Sequence, residues 1–181
     1  MTTVNGLPAH ILLVHAIVVL LPLAALLLVL SALWPAARSK LAAPNAILSV
    51  LIVILVPITT DAGEWLERRV ASTPLVRTHT ELGDTALYVA IPVAVLALLL
   101  WWRRRENLQS QAAETNTGAR ATRRRTFLAP ASSAVTVVLA VMAIAAAGAA
   151  FYDIYRIGDS GAQASWQGQF SSSPAPRSPG H

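Results

Sequence analysis

Residues 9–34 read AHILLVHAIVVLLPLAALLLVLSALW, and this run contains no Asp, Glu, Lys or Arg. An α-helix of this length exceeds the roughly 20 residues that cross the ~30 Å hydrocarbon core of a bilayer. Lipid offers a backbone no hydrogen bonds, so a lone apolar segment there satisfies its amides by forming a helix. The run therefore predicts a transmembrane helix.

Three further stretches have the same character, and they lie at about 44–65, 82–102 and 127–155. Of the 181 residues, 55% are hydrophobic and only 13% are charged, which is too apolar for a soluble domain of this length. A cleaved signal peptide is not expected at the first stretch, because no Lys or Arg precedes Arg38. We predict an all-α fold, an integral membrane four-helix bundle that residues 1–166 form as a single domain.

The basic residues predict the orientation of this bundle. The first connection carries Arg38 and Lys40, and seven arginines lie within residues 103–125 of the third. Basic connections stay on the cytoplasmic side. We therefore predict short outer connections, basic cytoplasmic connections and both termini on the non-cytoplasmic side of a bacterial inner (plasma) membrane. The same rule explains the net charge of +5, so the lipid bilayer is the expected partner and nucleic acid is not.

Two polar segments and three prolines complete the predicted organisation. Residues 106–120 are rich in Gln, Ala and Thr and predict a flexible cytoplasmic linker, and residues 167–181 are rich in Ser, Pro and Gly and predict a disordered tail. Pro22, Pro57 and Pro92 each remove a backbone hydrogen bond inside a predicted helix, which invites a kink.

The uncommon polar residues fall mostly at the predicted outer ends of the helices. His10 and His15 lie in the first helix, about 7 Å apart along its axis and about 140° apart around it. One helix face therefore cannot present both imidazoles. We predict that His15, which lies deeper, is buried, and that His10 lies at headgroup level near water.

The other helices are expected to bring ionisable groups to the same layer. Asp84 is predicted almost one turn inside the third helix, where an ionisable group needs a partner, and Arg156 or a histidine is the expected one. The layer also contains these residues of the second, third and fourth helices: Asp61, Glu64, His79 and Tyr155.

Three runs resemble a bacterial membrane family called domain of unknown function 2231. They are Gly6-Leu-Pro-Ala-His10 with Val14-His15 and the following Leu-Leu-Pro-Leu-Ala-Ala, then His79-Thr-Glu-Leu-Gly-Asp84, then the run from Tyr155 to Trp166. Ala9 and Ile11 stand where prolines more often flank the first histidine of that family. The resemblance implies a four-helix membrane fold, and some relatives look like redox-linked modules joined to iron–sulfur domains.

The leading functional hypothesis is a non-catalytic membrane subunit or scaffold with a polar His/Asp/Arg cluster near the outer face, in which these groups bond helix to helix. The chain has no cysteine, which excludes disulfides, thiolate-ligated iron–sulfur clusters and covalently attached haem. Gly-rich phosphate loops, catalytic triads and zinc-protease motifs are also missing from the sequence, so an enzymatic activity is not expected.

Three alternatives remain open at this point. The first is a b-type haem held by His15 and His79, with His10, Tyr155 and Arg156 around it, and with a membrane redox partner or a second copy of the chain. In that case His79 lies either in the third helix or in the connection before it. The second is a divalent-metal site, and the third is a small transporter. The candidate metal ligands are His10, His15, His79, Asp61, Glu64 and Asp84.

Overall fold

Long helices account for nearly all of the chain that the structure describes. The structure is a computed structural model, and it describes residues 3–4, 6–116 and 133–168. Within these residues, a short hairpin of β1 (Thr3–Val4) and β2 (Leu7–Pro8) precedes five helices. The helices are α1 (Ala9–Leu33), α2 (Pro35–Glu67), α3 (Pro74–Gly83), α4 (Ala86–Asn116) and α5 (Ser133–Trp166). The predicted all-α bundle is confirmed, and four spans among the described residues are long and apolar enough to cross a membrane.

The turn between α1 and α2 consists of a single residue. Trp34 is extended, and Pro35 follows as the first residue of α2, a position that needs no backbone N–H and suits the fixed φ of proline. The Arg38 guanidinium then reaches back and donates to the carbonyl oxygens of Ser31, at 2.7 Å, and Ala32. These contacts satisfy carbonyls at the end of α1 and put a positive charge at the negative end of its dipole.

The helices are arranged in the order α1, α2, α4, α5 around the bundle. The helix α1 packs against α2 and α5, α4 packs against the same two helices, and α1 and α4 also touch across the diagonal. Small side chains at the centre let the helix backbones approach closely. The most deeply buried of these core side chains include Ala24, Ala25, Leu28, Val93, Ala97 and Ala143.

The two ends of the bundle differ in chemistry and are named here by their residues. The "histidine end" is where α1 begins and where α2 and α5 end, and it contains His10, His79 and Ser160. The "arginine end" is where α1 ends and where α2 and α5 begin, and it contains Arg38 and Arg103.

Several predicted boundaries differ from those of the structure. The predicted flexible linker at 106–120 is wrong as far as Asn116, because α4 continues to that residue. Residues 103–116 contain no Pro or Gly, and lengthening an existing helix needs no new nucleus. The helix α2 begins at Pro35 instead of residue 44, and α5 continues to Trp166 instead of residue 155. Residues 117–132, with the predicted start of the last helix, and most of the predicted tail lie outside the described residues.

Candidate functional site

The short helix α3 places His79 over the histidine end. Thr73 caps this helix, since its hydroxyl accepts a hydrogen bond from the Val76 backbone N–H at 3.2 Å, and Pro74 occupies the first helical position. His79 therefore lies within a helix and not in a loop. Since α3 packs mainly against α5, the imidazole faces that helix.

The hydrogen bonds around His79 suit the neutral imidazole that carries its proton on Nδ1. The Ser160 hydroxyl donates to the Ile157 carbonyl oxygen at 2.9 Å, so its proton is already used. When the Ser160 proton is on the Ile157 carbonyl, His79 Nδ1, which lies 3.0 Å from Ser160 Oγ, is the donor to that oxygen. The Nε2 atom is left with a lone pair. The ring also lies against Gly161, where a Cβ would stand 2.9 Å from the ring carbon Cε1.

His10, on α1, has a similar arrangement against α2. Its Nδ1 lies 2.9 Å from the Thr59 carbonyl oxygen, and because a carbonyl can only accept, His10 Nδ1 is the donor. Its ring lies against Gly63 of α2, where a Cβ would again stand 2.9 Å from Cε1. The neutral His10 imidazole therefore also keeps its lone pair on Nε2.

The two imidazoles share one cavity between α1, α2, α3 and α5. They line a space of about 50 Å³, and positive charges on the two rings are close enough to repel each other. A wider groove of about 760 Å³ also includes both rings. Aliphatic side chains and four glycines contribute to its walls, including Val14, Val76, Ile157, Gly63, Gly83, Gly158 and Gly161.

The predicted burial of the first-helix histidines is wrong, and the structure reverses it. His15 is exposed on the outside of the bundle, and its Nδ1 donates to the Ile11 carbonyl of the same helix at 2.6 Å. His10 is partly buried against α2. Depth along the axis does not set burial, because the angle of about 140° between the two residues allows only one to face α2. His15 lines the wide groove but not the small cavity.

The candidate carboxylates lie at the surface. Asp61, Glu64 and Asp84 are exposed, and Glu64 pairs with Arg68 at 3.6 Å on the same helix. The prediction that Asp84 lies inside a helix is wrong, since α3 ends at Gly83 and Asp84 occupies the break before α4. Among the described residues, no group of three or more His, Asp or Glu side chains could hold a metal ion.

The predicted surroundings of the haem site lie on the outward side of α5. Tyr155 and Arg156 are both exposed, and the Arg156 guanidinium lies 5.7 Å from the centre of the Tyr152 ring. Neither residue lines the small cavity or the wide groove.

Two buried charged residues were not expected from the sequence. Asp153 is buried in α5, where its Oδ1 accepts from the Thr85 hydroxyl at 2.7 Å and its Oδ2 has no hydrogen-bond partner. Arg103 is buried at the arginine end. The signal for Asp153 was its spacing, because it lies four residues before Ile157 and seven before Ser160, on one face of the helix.

Comparison with known proteins gives no relative. No protein-family model, curated protein or solved structure matches this chain. The resemblance to domain of unknown function 2231 therefore stays a prediction that the three quoted runs carry.

Proposed function

We propose that this chain is a multi-pass protein of the bacterial plasma membrane, with the histidine end on the non-cytoplasmic side and the arginine end in the cytoplasm. The described spans have the length and hydropathy for this role. Their outward faces carry large apolar side chains that a lipid environment would accommodate, among them Val19, Ile47, Ile54, Val137 and Val141. The arginines near the arginine end favour this orientation through the positive-inside rule.

Within this membrane protein, we propose that His10 and His79 hold a b-type haem as part of a redox-linked module. The supporting observation is that both rings line one cavity and both Nδ1 atoms are engaged in hydrogen bonds, that of His10 with the Thr59 carbonyl and that of His79 with the Ser160 hydroxyl. With the proton on Nδ1, each neutral ring keeps a lone pair on Nε2. A hydrogen bond from Nδ1 to a neighbouring group orients an imidazole and makes Nε2 a better ligand. The proposed pair differs from the pair expected from the sequence, because His10 takes the place of His15.

The surroundings of this pair suit a flat macrocycle. The groove falls within the size range of ordinary cofactor sites. Its lining includes the carboxylates of Glu64, Glu67 and Asp84, and its aliphatic side chains and glycines suit the ring faces of a porphyrin. When bound, a haem with two histidine ligands supplies one-electron transfer. The residues of this chain would hold and orient the haem. Ser160 and the Thr59 carbonyl would orient the two imidazoles, and Gly63 and Gly161 leave room for the imidazole rings.

The test is an optical spectrum of the protein purified in mild detergent from cells supplied with haem, in the oxidised and the dithionite-reduced form. We expect a Soret band and a reducible α band in the wild type, and loss of both in His10→Ala and His79→Ala. His15→Ala is the matched control and should retain the bands. Circular dichroism and size-exclusion chromatography establish that each variant is folded.

Each other outcome has a definite meaning. Loss of the bands in His15→Ala and His79→Ala, with retention in His10→Ala, would favour the pair expected from the sequence. A folded wild type without a Soret band would overturn the haem proposal.

A scaffold is the second candidate, and a separate observation favours it. Polar contacts link different helices throughout the bundle: His10 with the Thr59 carbonyl, His79 with Ser160, Thr85 with Asp153 and Arg103 with Thr136. Such bonds stabilise a membrane bundle by about 0.6 kcal/mol each. A scaffold would lack the haem bands but would retain a partner protein through purification in mild detergent.

A further inference from the structure

The arginine end contains a buried guanidinium whose hydrogen-bonding capacity is mostly unused. Arg103 continues the buried face of α4 after Val93, Ala97 and Leu100, and only 2% of its surface is exposed. Its Nη2 donates to the Thr136 hydroxyl at 2.8 Å. Its Nε and Nη1 are buried and have no hydrogen-bond partner. An uncompensated charge of this kind is costly inside a protein.

A second arginine lies at the same end of the bundle and does not compensate this charge. Arg38 is partly buried and donates to the carbonyl oxygens of Ser31 and Ala32, where α1 ends, so it brings a further positive charge and no acceptor to this end of the bundle. The identified hydrogen bonds of both guanidiniums go only to neutral oxygens. The ion pair Arg68–Glu64 lies at the histidine end and involves neither arginine.

We infer that Arg38 and Arg103 together bind a phosphate group at the arginine end. An anion in contact with both guanidiniums would be attracted by two positive charges and would give the unused donors of Arg103 an acceptor. The planar fork of N–H groups on arginine matches the geometry of phosphate oxygens. Ser31, whose carbonyl binds Arg38, also has a buried hydroxyl without a partner, which would be a further donor to the phosphate.

The phosphate has two chemical sources, a phospholipid headgroup or free phosphate. The lipid source rests on the proposed membrane insertion, under which Arg38 lies four residues after the exposed Trp34, a residue type common at headgroup depth. The free-phosphate source does not need a membrane. Neither source depends on haem binding at the histidine end.

The experiment measures the midpoint of thermal unfolding, Tm, of the full chain in detergent. Dioleoyl-phosphatidylglycerol, dioleoylglycerol (the same chains without phosphate) and inorganic phosphate are each added to the wild type, Arg38→Gln, Arg103→Gln and Arg105→Gln. Arg105 is the matched control, since it lies in the same basic run but is exposed, with its guanidinium 5.2 Å from the centre of the Trp101 ring.

We expect phosphatidylglycerol to raise Tm by about 3 °C or more over dioleoylglycerol in the wild type and in Arg105→Gln, because a ligand of the folded state stabilises it. The rise should fall by at least half in Arg38→Gln and Arg103→Gln. A rise with inorganic phosphate alone would identify free phosphate as sufficient, and a rise only with phosphatidylglycerol would identify the lipid.

Equal rises in all four proteins, or no rise in the wild type, would overturn the site. If Arg103→Gln does not fold, Arg38→Gln decides, because its side chain is only partly buried. A wild type that lacks haem bands but shows the expected shifts would separate this site from the haem proposal. A chain that proves not to be membrane-inserted would remove only the lipid source.

Discussion

Glycine at two helix positions determines where the imidazoles lie. Gly63 and Gly161 are each in a helix, where glycine is about 1 kcal/mol less favourable than alanine. In the structure the ring of a histidine from another helix packs against each glycine, at a distance that leaves no room for a methyl group. The unfavourable residue is therefore explained by a close side-chain contact across the bundle.

We expect Gly161→Ala to lower the free energy of unfolding by about 1–2 kcal/mol, because the new methyl group displaces His79 and breaks its bond to Ser160. Gly148→Ala, on the same helix with open space around it, is the control and should be neutral or slightly stabilising. Chemical denaturation in detergent without added haem measures both variants. Equal stability of the two variants would show that the His79 ring does not depend on Gly161.

Some residue-level features were predictable from the sequence and others were not. The geometry of a helix correctly indicates that His10 and His15 cannot share a face, but it does not say which of the two faces α2. That choice depends on Gly63 and the Thr59 carbonyl, which belong to another helix. The burial of Arg103 is similarly hidden, because the three arginines at 103–105 look alike until the buried face of α4 is known.

At the scale of elements, the sequence predicts the uniformly apolar helices well and the segments of mixed composition poorly. The apolar runs at 9–34, 44–65 and 82–102 correspond to α1, α2 and α4. They are predictable because the length and hydropathy that a membrane-spanning helix needs are properties of each run alone. The helix α3 was not expected as a separate element. None of its ten residues is buried, so its position depends on the Thr73 cap and on contacts with α5.

This dependence makes the capping residue of α3 a sensitive position. Thr73→Ala removes the acceptor of the Val76 N–H and should cost about 1 kcal/mol, mostly as loss of helix at the start of α3. Hydrogen exchange should then be faster in α3 and unchanged in α4. Thr78→Ala, an exposed threonine of the same helix, is the control. Unchanged exchange in Thr73→Ala would mean that contacts with α5 alone hold α3.

For the whole molecule, both proposed sites take their biological meaning from the orientation. In the proposed orientation, a redox partner on the outer side would exchange electrons with the histidine end. The cytoplasmic leaflet would supply phospholipid to the arginine end. The charge pattern predicts this orientation. The positions of the helices do not test the orientation, because the bundle packs in the same way in both orientations in the membrane. An experiment on intact cells is therefore needed.

The absence of cysteine makes that experiment direct, since any introduced thiol is unique in the chain. Ser72→Cys lies between α2 and α3 at the histidine end, and Ser39→Cys lies at the arginine end; both serines are exposed. We expect a membrane-impermeant maleimide to label Ser72→Cys in intact cells and Ser39→Cys only after permeabilisation. The reverse pattern would place the histidine pair in the cytoplasm and move its redox partner there. Labelling of both sites in intact cells would contradict a bundle whose two ends lie on opposite sides of the membrane.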